Sequence, residues 1–250
     1  MKFLVVSLLL VACDKSPAPS PGASSATADS PSSKASIRAE TAVYKPVFVT
    51  TDGELEAGTA FVARLSASSP LVLVTAHHLF GTDGGLDREY TWSELPELVS
   101  KVTAKSIEKS PPVTAGSAIA IEGATKYSQA AIGGDVAAFL VSAPADAPAL
   151  TFVTTRPREG TPVWLISPVE GSSELRHRAV VVQMDDDMIG YAFDNAKIEL
   201  RATSGAPVVT ATGEVVAINI ASGTQDGKTI GFGNPAWSVS KRLLAATSKR

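Results

Sequence analysis

Leu71-Val72-Leu73-Val74-Thr75-Ala76-His77-His78-Leu79-Phe80 is the stretch on which the reading of the chain turns. Its first five residues, apolar up to Thr75, are too few for a stable helix and read as a short β-strand. Two of the chain's 3 histidines follow at the end of that strand. Neighbouring residues on an extended chain point to opposite faces, so the pair is poorly placed to chelate one metal ion. No HExxH motif and no third ligand accompany them, and no metal site is expected. Similar runs lie outward on both sides, at 46–50 and 59–63 before it and at 136–141, 162–166, 179–184, 188–193, 207–210 and 214–220 after it. Turn pairs such as Asp52-Gly53 and Thr212-Gly213 separate them, and the 19 Gly and 16 Pro suit many turns better than a helical bundle. The expectation is an all-β, antiparallel sandwich or barrel.

Two segments depart from this pattern. Residues 82–100 carry the turn Asp83-Gly84-Gly85 and then Trp92-Ser93-Glu94-Leu95-Pro96-Glu97-Leu98-Val99, which fits a short helix on an inserted loop. Near the end, Val239, Leu243 and Leu244 recur at helical spacing behind Ser238 as N-cap, predicting a terminal helix over 238–247 packed on the body. Asp185-Asp186-Asp187 falls between two strand runs and reads as a solvated hairpin turn rather than a calcium loop, because no EF-hand-like spacing surrounds it.

Composition narrows the functions available. With 22 Lys+Arg against 25 Asp+Glu the formal charge is −3, which leaves no electrostatic footprint for a phosphate backbone and argues against nucleic acid as a partner. A single cysteine excludes an intrachain disulfide and any multi-thiol zinc or redox motif. No cofactor site is legible.

That cysteine has a context of its own. Residues 1–12 hold one cation, Lys2, and an apolar run from Phe3 to Val11 broken only by Ser7. As a helix such a run rises only about 14 Å, too little to span a bilayer, and it reads as a secretory signal. It ends in Leu10-Val11-Ala12-Cys13, which resembles the lipobox of bacterial lipoproteins, and this resemblance implies lipidation of Cys13. Over 14–36 the chain holds eight Ser, five Ala and four Pro and no large apolar side chain. Such a segment cannot offset its ordering entropy, so 13–36 reads as a lipidated cysteine followed by a disordered tether about 25 to 30 Å from end to end. Residues 37–250 remain for the fold, and the expected location is a bacterial cell envelope, lipid-anchored on the periplasmic or extracellular face.

The strand-end histidines carry a second resemblance. Val74-Thr75-Ala76-His77-His78 resembles the Thr-Ala-Ala-His motif of trypsin-like serine proteases, with His78 in the position of the general base and His77 in place of the second alanine. Gly133-Gly134-Asp135-Val136-Ala137-Ala138-Phe139-Leu140-Val141 is similar to the segment that carries the orienting carboxylate, at Asp135. Leu200-Arg201-Ala202-Thr203-Ser204-Gly205-Ala206-Pro207 resembles Gly-Asp-Ser-Gly-Gly-Pro, with Ser204 as nucleophile. Ile230-Gly231-Phe232-Gly233-Asn234-Pro235 resembles the Gly-Phe-Ala-x-Pro segment of HtrA/Deg-type proteases, and no PDZ-like stretch follows it within these residues. The order His, Asp, Ser is that of this family and not that of subtilisins or α/β-hydrolases.

The resemblance implies two antiparallel β-barrels with a C-terminal helix. His78 and Asp135 would come from the first barrel and Ser204 from the second, meeting in the cleft between them. It further implies a serine endopeptidase acting on a protein or peptide, with the N–H groups of Ala202 and Ser204 as oxyanion hole. Two positions depart from the pattern: Ala202 stands where the family has glycine, commonly at positive φ, and Thr203 where it has Asp or Asn. A Cβ at positive φ costs about 1 to 2 kcal/mol. A catalytically weak or inactive protease-fold module that binds peptides is therefore the alternative expectation. Ile198, six residues before Ser204, occupies the position of a specificity-pocket floor and implies a preference for small or medium apolar side chains.

Overall fold

The computed structural model describes residues 38–128, 132–144 and 146–248. All of them fall within one unit, Ala35–Arg250. The signal, Cys13 and tether expectations lie outside the described residues.

Seven strands build the first half: β1 (Val43–Thr50), β2 (Gly53–Glu56), β3 (Ala60–Arg64), β4 (Leu71–Thr75), β5 (Val99–Ser106), β6 (Val113–Ala118) and β7 (Ala137–Ser142). Their order is β2-β1-β3-β4-β7-β6-β5, and β1 pairs back onto β5, which closes a six-stranded antiparallel barrel with β2 folded over β1 as a hairpin. The second half is a closed barrel in the order β10-β13-β12-β11-β8-β9, built from β8 (Pro162–Ile166), β9 (Arg176–Met184), β10 (Ile189–Phe193), β11 (Pro207–Val209), β12 (Val215–Gln225) and β13 (Lys228–Pro235). The all-β reading with two barrels thus holds, and closure leaves few strand edges unpaired.

Alternation sets the barrel interiors. Phe48, Phe80 and Phe139 meet inside the first barrel, Phe48 edge-on to Phe80 with ring centroids 4.9 Å apart. Leu165, Val181, Tyr191 and Val208 fill the second. A third apolar cluster lies between the barrels, where Phe61, Val72 and Val74 face Ile166, Val215 and Ile218. Helix α2 (Ala236–Thr247) adds Val239 and Leu243 to this cluster, so the terminal helix is docked as expected, but Leu244, read as part of the same apolar stripe, is exposed.

The strand starting at Leu71 runs Leu71–Thr75 as read, while β2, β5, β6 and β13 were not anticipated. β5 alternates buried Val102 and Ala104 with the more exposed Lys101, Thr103 and Lys105, so its apolar signal is half diluted. A one-turn helix, α1 (Leu95–Leu98), does form on the inserted segment, but it leads directly into β5. The terminal helix begins two residues earlier than expected, and Ser238 does not cap it. The Ser238 hydroxyl donates to Gly133 O at 3.0 Å instead, pinning α2 to the loop that carries Asp135. The Asp185 turn is a hairpin: its Oδ1 accepts the N–H groups of Asp187 at 2.8 Å and Met188 at 2.7 Å.

Candidate active site

The loop after β4 is a single 3-10 turn, His77–Phe80, and not the extended chain assumed from sequence. The two imidazoles still go separate ways. His77 is buried and its Nε2 bonds Tyr90 O at 2.9 Å. Burial lowers its pKa, which keeps it neutral, and its Nδ1 finds no partner. His78 turns toward the barrel interface, where its Nδ1 lies 2.7 Å from Asp135 Oδ2.

Asp135 is wholly buried in the loop just before β7. Its carboxylate is satisfied by four donors: Oδ1 accepts His77 N–H at 2.6 Å and His78 N–H at 3.0 Å, while Oδ2 accepts His78 Nδ1–H and, at 3.1 Å, Tyr127 N–H. Because an ionised carboxylate only accepts, the imidazole proton sits on Nδ1 and the Nε2 lone pair is left toward the cleft. Asn234 on β13 donates to Asp135 O at 3.2 Å, so the second barrel also grips this loop.

Ser204 arrives from the second barrel, in the loop before β11. It lines one cleft of about 360 Å³ together with His78, Tyr127, Ala202, Gly58 and Ile220. The Ser204 hydroxyl donates to Ile220 O at 3.4 Å, and must turn from that carbonyl to His78 Nε2 before it can be deprotonated. Ala202 has φ 58°, the left-handed region in which the family's glycine commonly stands. Along this loop Thr203 N–H is taken by Leu200 O, Gly205 N–H by Asn219 O and Ala206 N–H by Thr203 O. The N–H groups of Ala202 and Ser204 find no acceptor among the described residues.

Two glycines explain how closely the barrels approach here. Gly205 has φ 85°, and a Cβ on it would collide with Thr59 O and the Thr75 hydroxyl. A Cβ on Gly58, at φ 63°, would fall 2.6 Å from Ser204 O. Across this contact Thr59 N–H donates to Ser204 O at 2.8 Å.

Sequence reasoning missed three supports of the nucleophile loop. Inside the second barrel the fully buried Tyr191 hydroxyl donates to Asn219 Oδ1 at 2.5 Å, and Asn219 Nδ2 donates to Thr203 Oγ1 at 3.0 Å. Burial raises the Tyr191 pKa, so the hydroxyl keeps its proton and this chain stays intact. Thr203 thus places a hydroxyl in a neutral network, at the position where the resemblance expects Asp or Asn. On the outer side, Lys45 reaches Ala202 O from the first barrel at 2.9 Å. Only the Thr203 anomaly was visible in the sequence, and its partners lie 12 and 16 residues away along the chain.

One expectation is overturned. Ile198 does not floor the cleft: the Asn195–Ile198 turn folds it into the core of the second barrel beside Tyr191 and Phe193, and it borders a separate depression with His177 and Asp194.

A family model described as a trypsin-like peptidase domain matches residues 58–218, which include His78, Asp135 and Ser204. The chain belongs to the trypsin-like peptidase family. Among solved structures it is similar to the active form of the Rv3671c protease from M. tuberculosis, at 18% identity and TM-score 0.55, covering 84% of this chain and 82% of that one. It is also similar to the serine endoprotease from Yersinia pestis, at 17% identity and TM-score 0.56 over 88% of this chain and 68% of that one. The HtrA-type protease AlgW with decapeptide aligns at 16% identity and TM-score 0.54, over 85% of this chain and 66% of that one. At these identities the likeness speaks for the fold. No curated protein sequence matches the chain significantly. No helix among the described residues is long and apolar enough to cross a membrane.

Proposed function

We propose that this trypsin-like peptidase hydrolyses peptide bonds through Ser204, His78 and Asp135 by way of an acyl-enzyme. The observation that carries this reading is the 2.7 Å contact between His78 Nδ1 and a wholly buried Asp135 in a cleft that His78 shares with Ser204. A serine hydroxyl is a weak nucleophile at neutral pH, so His78 Nε2 takes its proton as Oγ attacks the substrate carbonyl carbon. Asp135 holds the Nδ1–H tautomer and stabilises the imidazolium. The tetrahedral oxyanion is received by the N–H groups of Ala202 and Ser204. His78 then returns the proton to the departing amine, and a water molecule activated by the same base releases the acyl group and restores Ser204. The natural setting of this reading is the bacterial envelope, with Cys13 lipidated and 13–36 as tether to the membrane.

The Ser204–Ile220 hydrogen bond also favours a second reading, a weakly active or inactive module that captures extended peptides in the same cleft. Hydrolysis of unfolded casein by the purified protein beside Ser204→Ala separates them. The peptidase reading expects cleavage that Ser204→Ala abolishes, and equal product from both proteins contradicts it.

A further inference from the structure

We propose that Lys45 is a positioning residue for the nucleophile loop, holding the Ala202 peptide in the conformation that leaves the Ala202 N–H directed at the cleft. The proposal rests on the peptidase reading of that cleft. A lysine on a barrel strand ordinarily runs its stem along the surface and keeps its ammonium in water. Lys45, the third residue of β1, turns inward instead. Its Nζ donates to Gly58 O at 3.2 Å, Thr59 Oγ1 at 2.8 Å and Ala202 O at 2.9 Å. An ammonium has three donors, and here each has an acceptor.

All three acceptors are neutral. The charge gives up much of its water and receives no carboxylate in exchange, and burial alone lowers its pKa to about 8. A cation kept in such a place weakens the fold, whereas a methionine of similar length would fill the same space without that cost. Packing therefore does not account for a lysine here, but what Nζ holds does.

The held group is strained. Ala202 and Asp226 are the non-glycine residues with positive φ among those described. Asp226 sits beside Gly227 at the tip of the β12–β13 hairpin, where an Asp in this conformation is ordinary. Ala202 has no such excuse, and a strained backbone persists only where its surroundings over-determine it. At Ala202 those surroundings come from the other barrel: its carbonyl accepts from Lys45 Nζ and, at 3.1 Å, from Thr59 Oγ1. These two bonds fix the carbonyl side of Ala202, so its left-handed φ cannot relax by swinging that side about N–Cα without breaking both. With that peptide pinned, φ of Ala202 fixes where its N–H points.

The test uses the full-length protein and compares Lys45→Met, Ala202→Gly and the double variant. The readouts are the rate of fluorophosphonate labelling at Ser204 and the kcat and KM for a peptide substrate, with circular dichroism as the check on folding. The expected result is a 10- to 100-fold loss of labelling rate and of kcat in Lys45→Met, by analogy with the roughly 10²- to 10³-fold cost of losing an oxyanion donor, with KM changed less than threefold. Ala202→Gly is expected to restore most of the loss in the double variant, because glycine adopts positive φ without being held. Should Lys45→Met not fold, Thr59→Val removes the other donor to Ala202 O and carries the same expectation. A folded Lys45→Met that labels within threefold of the parent, or a double variant as slow as the single one, overturns the proposal while leaving the peptidase reading intact. A parent that does not label at Ser204 overturns both.

Discussion

Asp135→Asn isolates the electrostatic core of the site. In the parent, two backbone N–H groups point at Oδ1, and one backbone N–H and the imidazole Nδ1–H point at Oδ2. An asparagine of the same shape can keep its oxygen toward His77 and His78 N–H, which leaves its NH₂ facing the Nδ1–H of His78. Two donors then oppose each other. The imidazole relieves the clash by moving its proton to Nε2, and Nδ1 becomes the acceptor. In that tautomer Nε2 cannot take the Ser204 proton. Restoring the working tautomer forfeits a charge-assisted bond of about 1.5 to 3 kcal/mol and strands a buried donor for about 1 to 3 more. That amounts to about two to four decades in rate, at about 1.4 kcal/mol per decade. The assay is the rate of fluorophosphonate labelling at neutral pH on protein shown to be folded by circular dichroism. A folded Asp135→Asn that labels within tenfold of the parent refutes the argument that Asp135 sets the tautomer of His78.

Two further outcomes follow from the same geometry. Ala202→Gly removes a left-handed strain of about 1 to 2 kcal/mol but loosens the unfolded chain by about 0.4 to 1, so the variant should melt at the same or a higher temperature and label at least as fast as the parent; a tenfold slower rate would show that the Ala202 Cβ itself serves the site. The Lys45 ammonium, with its pKa lowered by burial to about 8 from 10.5, binds its proton less readily in the folded than in the unfolded chain. Stability should therefore rise with pH across this window, and denaturant melts at pH 7.5 and 9.5 should show a steeper rise in the parent than in Lys45→Met; parallel profiles would mean that Nζ is not desolvated.

What the sequence disclosed and what it withheld have separate physical causes. The strand Leu71–Thr75 and the motif residues His78, Asp135 and Ser204 were legible because each is announced by its immediate neighbours, and β4 runs over the residues read for it. β5 was hidden by Lys101 and Lys105, which break its apolar alternation while leaving its backbone pairing with β1 unaffected. Ile198 was misplaced because spacing before Ser204 says nothing of the turn that folds it into the barrel core. Lys45 had no local signature at all, since its contact with Ala202 spans 157 residues of chain and exists only once both barrels have closed. Thr203 was noticed as an anomaly, but the hydrogen bond it receives from Asn219, and the one Asn219 receives from Tyr191, required the packed interior of the second barrel.

The most direct test of the central claim is to treat the folded protein with a fluorophosphonate and locate the adduct by mass spectrometry, with Ser204→Ala and His78→Ala alongside. Ser204 Oγ displaces fluoride from phosphorus only where a base removes its proton, so the account predicts one adduct, on Ser204, absent from both variants. An unlabelled folded parent, or an adduct that persists in Ser204→Ala, would contradict it.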